Sequence, residues 1–175
     1  MCQTYWQMGT KDNTSPIFGD YIMRISFDLD DTLFVSPENF KTEKALKFPF
    51  NKIYKERLRL GTIDLMKYIR EQDIELWIYT TSFRSVGYIR NLFRCYGIKL
   101  DCVVNGERHA REIQENKSEV MPSKYPAWYR IDLHIDDDVS VAQNGRTYGF
   151  KVHLVGAQDD EWDKKIIREI EKIRG

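Results

Sequence analysis

Two aspartates one residue apart, Asp28 and Asp30, close an apolar run from Tyr21 to Phe27, and no other feature constrains the chain as much. A run of this length reads as a buried strand. Carboxylates crowded at its C-terminal end stand where open α/β sheets bind their ligands. They repel one another and raise each other's pKa unless a cation sits among them. Mg²⁺ is the simplest neutraliser, because it favours carboxylate oxygens and keeps several waters. The plainer reading is an acidic turn with Asp31 and Thr32 as local caps. An EF-hand loop does not fit, since Leu33 stands where glycine is needed, Asn39 where glutamate is needed, and a strand precedes it.

A second acidic cluster lies far along the chain. Asp132-Leu133-His134-Ile135 reads as another short strand and runs into Asp136, Asp137 and Asp138. Between the clusters, Ile74 to Tyr79 is a third strand candidate, ending in Thr80, Thr81 and Ser82, and Lys124 lies shortly before the later acidic strand. A nucleophile, a metal cage, a hydroxyl donor and a fixed cation are the parts of a phosphoryl-transfer site.

This ordered set resembles the haloacid dehalogenase superfamily of phosphohydrolases. The resemblance runs from Ile22 to Asp138 and implies a role for each motif. Asp28 would attack phosphorus and form an aspartyl-phosphate. Asp30 would protonate the leaving oxygen and then activate water, while its backbone carbonyl helps Asp28, Asp136 and Asp137 hold Mg²⁺. Asp137 would touch the metal directly and Asp136 through its water shell. Thr32 would order the loop, and Leu29, Thr80, Thr81 and Lys124 would surround the phosphate. Lys124 departs from the commoner spacing, because Pro126 leaves only a short extended connection before the acidic strand. Lys117 is its rival, in a charged stretch that reads as solvated. Some deoxyribonucleotidases of the superfamily have a similarly short spacing, which identifies no substrate.

The rest of the chain alternates strand and helix. Helices are predicted through Leu58–Ile69, which Gly61 divides or starts, from about Arg84 to Tyr96 before Gly97, from about Ser140 to Tyr148 before Gly149 unless Gly145 stops it earlier, and from Asp160 to Arg174. Further strands are predicted at Lys99–Val104 and Phe150–Val155, while Glu107 to Tyr129 shows no clear period. The expected fold is α/β, a doubly wound parallel sheet with helices on both faces. Residues 1–20 read as a loose polar arm, whose alternative is packing through Tyr5 and Trp6; residues 21–175 read as one catalytic domain whose fold begins at Tyr21 or Ile22, with Met23 as a candidate native start. Neither Phe34 to about Lys55 nor Glu107 to Met121 has room for a large cap with its own core. Water exclusion would then fall to a loop, to the substrate or to a neighbouring copy in a homo-oligomer. Residues 40–50, rich in aromatic and apolar groups, line the entrance or pack on the sheet edge.

With 27 basic and 27 acidic residues the formal charge is zero, which argues against a dedicated nucleic-acid or membrane surface. Three cysteines without a CxxC pair argue against a disulfide framework or structural zinc, and Cys95 and Cys102 read as buried hydrophobes. His134 and His153 fall in strands and read as structural, while His109 lies near enough to Lys124 in sequence to be a site candidate. No membrane-length run or signal core is present, so the expected location is cytoplasmic. A receiver domain of the response-regulator kind uses similar groups but carries its acidic pair on the first strand, so the order here is wrong. The remaining alternative is a phosphate-binding or signalling module of the same fold without turnover; Asp28 and Asp30 are both present, which favours the phosphatase.

Overall fold

Five short stretches rich in β-branched and aromatic residues form the strands β1 (Arg24–Phe27), β2 (Glu75–Tyr79), β3 (Cys102–Val104), β4 (Leu133–Asp136) and β5 (Val152–Leu154). They are joined by helices α1 (Phe50–Ile53), α2 (Thr62–Glu71), α3 (Val86–Cys95), α4 (Gly106–His109), α5 (Val139–Tyr148) and α6 (Trp162–Arg174), with a π-helical turn at Ala110–Gln114 and a 3₁₀ turn at Pro126–Tyr129. A computed structural model describes residues 21–115 and 121–175, so residues 1–20 and the rival Lys117 lie outside the described part. The five strands form one sheet in the order β3-β2-β1-β4-β5, and every pairing is parallel. The chain order reverses at β1, which opens a crevice at the carboxyl ends of β1 and β4.

Side-chain alternation divides the sheet into two unlike faces. Ile25, Phe27, Leu76, Ile78, Val103, Leu133 and Ile135 turn to one side and pack with Leu65, Met66, Ile69, Leu92, Phe93, Ile166 and Ile170 from α2, α3 and α6. Fully burying each such aliphatic side chain contributes about 1.5–3 kcal/mol, an upper estimate because the unfolded chain is already partly compact. Trp77, Tyr79, Cys102 and Val104 turn to the other side, against Ile113, Tyr129 and Ile131. There the sheet interior also carries Ser26 and His134, both fully buried and hydrogen-bonded to each other at 2.8 Å.

The layered reading of the sequence agrees with this architecture, and no large cap is present among the described residues. Local boundaries differ. β1 begins at Arg24, because Tyr21 and Ile22 are exposed and the Arg24 N–H is taken by the Asp132 carboxylate at 2.7 Å. The helix predicted through Leu58 starts at Thr62, with Gly61 at its start as one of the two expected arrangements. Gly61, at φ 92°, holds a left-handed turn with the Asp163 carboxylate 3.0 Å from where a Cβ would stand. Leu58 is instead buried in a bridge to Phe34, while Leu60 is exposed. The unassigned stretch after Glu107 holds α4 and the two irregular turns. Cys102 is fully buried, as its apolar setting suggested, but it is disulfide-bonded, against the expectation of no disulfide framework; Cys95 is free and only half-buried. No helix among the described residues is long and apolar enough to cross a membrane.

Candidate active site

Strand register delivers the first two carboxylates. Phe27 pairs with Ile135, and the Asp28 N–H donates to the Ile135 carbonyl at 2.9 Å, so Asp28 and Asp136 follow side by side at the ends of adjacent strands. Both turn to the face that carries Ser26 and His134. Lys124 enters from the connection before β4, with Nζ 2.8 Å from Asp28 Oδ1 and 2.6 Å from Asp136 Oδ2, and all three side chains are buried. The contact to Asp28 is an ion pair without hydrogen-bond geometry, which leaves Oδ1 buried and without a hydrogen bond.

The two aspartates differ electrostatically although they share a lysine. Burial pushes the Asp28 carboxyl above its ordinary value; Lys124 pulls it down, Asp136 pushes it up, and the net shift is upward. Burial also acts on Asp136, but hydrogen bonds and charge from His134 and Lys124 outweigh it and hold this group at about 2. Burial alone would lower the Lys124 ammonium, and the two carboxylates overcome that and raise it. His134 Nε2 lies 2.9 Å from Asp136 Oδ2. An ionised carboxylate only accepts, so this nitrogen carries the hydrogen. Asp136 Oδ1 accepts from the Asp138 N–H at 2.9 Å, so both of its oxygens are engaged by the protein.

Asp137 is the most open of the three acidic ligand candidates. The buried Thr32 hydroxyl donates to its Oδ1 at 2.7 Å, which fixes the carboxylate against the loop after β1. One oxygen each from Asp28, Asp136 and Asp137 lie within 4.8 Å of one another. These groups fit an oxygen-seeking divalent cation, because a buried carboxylate oxygen lacks a hydrogen bond and two neighbouring acids face it. Asp138 is separate from this cluster. Its carboxylate caps α5 by accepting from the Ser140 N–H at 2.7 Å.

Asp30 leaves the cluster. The Leu29 carbonyl accepts from the N–H groups of Leu33 at 2.9 Å and Phe34 at 2.6 Å, and Asp31 adopts φ 60°. This tight turn carries the Asp30 side chain outward, where Oδ2 meets Arg84 Nη1 at 2.8 Å. Arg84 also donates from Nη1 to Ser82 Oγ at 2.8 Å and from Nε to Glu56 Oε1 at 3.2 Å. The Leu29 side chain is buried in the core. Thr80, at the end of β2, is buried and accepts from the Ser82 N–H at 3.1 Å, while Thr81 is exposed. Gly106 backs onto this loop, and a Cβ there would lie 2.5 Å from the Thr81 carbonyl.

Thus Asp28, Lys124, Asp136, Asp137 and Thr32 converge, and Asp30 sits beside them in an ion pair. His109 does not join them, since its Nδ1 meets the Tyr79 hydroxyl at 2.5 Å. His134 and Arg84 are additions to the residues singled out from sequence. His134 lies two positions before Asp136 and therefore on the same strand face, a signal present in the spacing. Arg84 carried no such signal, because it reads as the first residue of a helix, where an arginine is ordinarily solvated.

No family model matches the chain, and no curated protein matches it. Solved structures do. A HAD-superfamily hydrolase of subfamily IA from Geobacter sulfurreducens is 13% identical, with a TM-score of 0.51 over 85% of this chain and 100% of that one. The HAD domain of the effector protein Lem4 from Legionella pneumophila is 15% identical, with a TM-score of 0.51 over 86% of this chain and 94% of that one. A hydrolase from Streptococcus pneumoniae is 16% identical, with a TM-score of 0.51 over 86% of this chain and 98% of that one. Identities this low speak to architecture alone, and on architecture the chain has the fold of the haloacid dehalogenase (HAD) superfamily.

Proposed function

We propose that the chain hydrolyses phosphomonoesters, with Asp28 as the nucleophile and Mg²⁺ as the metal ion. The observation that carries this reading is the Asp28 carboxylate, buried, free of a hydrogen bond at Oδ1 and 2.8 Å from the Lys124 ammonium. Asp30, carrying a proton taken from solvent once it leaves Arg84, stands by as Asp28 attacks phosphorus; the bond to the ester oxygen breaks, and Asp30 gives that oxygen its proton. Asp30, now ionised, takes a proton from water, which attacks the aspartyl-phosphate. The bond from phosphorus to the Asp28 oxygen then breaks, and phosphate leaves with Asp28 restored. Asp30 pairs with Arg84 outside the cluster, so its side chain turns inward for both proton transfers. Lys124 balances charge on the phosphoryl oxygens, with the Thr80 hydroxyl and the backbone N–H groups of Leu29 and Thr81 as further donors. Asp28, Asp137 and the Asp30 carbonyl would hold Mg²⁺, with Asp136 facing its waters. The ion supplies the positive charge that lets these carboxylates share one site and offsets charge on the phosphoryl group.

The test is a phosphate-release screen over nucleotides, sugar phosphates, phosphopeptides and nucleic-acid ends, with and without Mg²⁺. Turnover should require the ion and vanish in Asp28→Asn. Asp30→Asn keeps the nucleophile and loses the proton shuttle, so poor leaving groups should slow by roughly 10²–10⁴-fold. Acid quench of that variant should trap a phosphoenzyme. Full activity in Asp28→Asn would overturn the reading.

A further inference from the structure

The site holds two cations with different surroundings. Lys124 is buried between Asp28 and Asp136, on the side where the phosphoryl group would sit. Arg84 is about one-third exposed and pairs with Asp30, the residue that would protonate the leaving oxygen. Arg84 therefore marks the leaving-group side. We propose that Arg84 reads a second anionic group there, so that the preferred substrates are phosphomonoesters whose leaving group carries a carboxylate or a further phosphate. This rests on the phosphatase reading and names a substrate class within it.

The guanidinium is held for such a contact. Glu56 takes its Nε at 3.2 Å, and Glu56 is itself fixed by the Tyr88 hydroxyl at 2.6 Å. The Phe34 ring lies beneath, 5.5 Å from Cζ. The backbone carbonyl of Arg84 accepts from Asn105 Nδ2 at 3.0 Å, which ties the loop to the end of β3. Anchoring by Nε leaves the Nη edge toward Asp30, and Nη2 donates to nothing among the described residues. A planar fork with one nitrogen unused matches a carboxylate or phosphate bidentately. The pair it now makes is weak and exchangeable, because the Asp30 side chain is about half exposed. A substrate anion that takes the Arg84 fork releases Asp30 to turn toward the leaving oxygen. One contact then serves recognition and frees the Asp30 side chain.

Two cavities of about 450 and 500 Å³ lie elsewhere, one beside Phe40, Arg59 and Trp162 and the other along β5, and neither is lined by Asp28, Asp30 or Arg84.

The experiment compares kcat/KM for phenyl phosphate with its ortho-, meta- and para-carboxylated esters, using wild type, Arg84→Gln and Arg84→Lys. Wild type should prefer at least one carboxylated ester by about tenfold or more, the scale of a charge-assisted contact. The preference should fall to within about twofold in Arg84→Gln and persist, reduced, in Arg84→Lys, which keeps the charge and loses the fork. Thermal melts of each variant check that it is folded. Equal kcat/KM for all the esters in wild type would overturn the proposal, and that result is readable even if a variant fails to fold. An undiminished preference in folded Arg84→Gln would do the same. Hydrolysis without preference leaves the phosphatase reading standing, whereas no hydrolysis of any phosphomonoester, with Mg²⁺ present, overturns both.

Discussion

His134 Nε2 stands 2.9 Å from Asp136 Oδ2 within the sheet, and neither side chain reaches water. Ser26 closes the other end of the ring at 2.8 Å, so a polar file crosses a strand interior that is otherwise apolar or aromatic. Such a file is costly when only partly satisfied. Phe in place of His134 keeps the shape and removes the donor to a buried carboxylate. His134→Phe should lose about 1.5–3 kcal/mol of stability in urea unfolding. Asp136 has its folded pKa, about 2, below the unfolded value, so its stabilisation is present above roughly pH 4 and is lost as the pH falls toward 2. The acid-unfolding midpoint of His134→Phe should therefore move to higher pH.

Asp28 has the opposite sign. Its folded pKa is raised, so the stability associated with its neutral form is complete below about pH 3.9 and is lost as the pH rises through the folded value. Asp28→Asn should accordingly melt higher than wild type in metal-free neutral buffer, by about 2–4 °C for each kcal/mol relieved. The gain should shrink on acidification and shrink again in Mg²⁺, which stabilises the wild type. A lower melting temperature for the variant under metal-free neutral conditions would show that the pairing with Lys124 outweighs burial.

Thr32 acts through Asp137. Loss of its hydroxyl in Thr32→Val frees the carboxylate that it holds at 2.7 Å and should weaken Mg²⁺ binding by roughly 10–100-fold in calorimetric titration. Asp138→Ala should behave differently. It removes the cap of α5 and should cost about 1 kcal/mol of stability with little change in Mg²⁺ affinity. The reverse outcome would place the metal-binding pair one residue later.

Two histidines should make the protein acid-sensitive near neutrality. Burial lowers the pKa of both His109 and His153. Their neutral forms stabilise the fold fully above about pH 6.5, and that contribution is lost as the pH falls through the depressed folded values. The melting temperature should decline between pH 7 and 5, and His153→Leu should flatten the decline. An unchanged slope in that variant would assign the dependence to His109, whose Nδ1 the Tyr79 hydroxyl meets at 2.5 Å.

The parts legible in the sequence are those fixed by strand ends. Asp28, Thr80 and Asp136 all stand at or just past the C-terminal end of a parallel strand, so finding the strands sufficed to group them. Lys124 followed from its place before the acidic strand. The unread parts depend on backbone turns. Asp30 is sent outward by the turn at Asp31, and its partner Arg84, expected at a helix start, stands in the loop before α3. Of the two parts offered for Gly61, dividing the helix or starting it, the structure has the second, because its left-handed turn caps α2 and leaves Leu58 outside. His134 was assigned a structural part from its strand setting; its spacing from Asp136 also holds the second meaning.

The place of β1 between β2 and β4 has a consequence during synthesis of the chain. Ile25 finds one neighbour at Leu76 but the other only at Leu133. Until the ribosome has delivered the second of these, one edge of the strand that bears Asp28 is bare, with apolar side chains and unpaired peptide groups together. Such an edge invites association with other chains. A nascent chain stalled before β4 thus carries an edge prone to aggregate and in need of shielding.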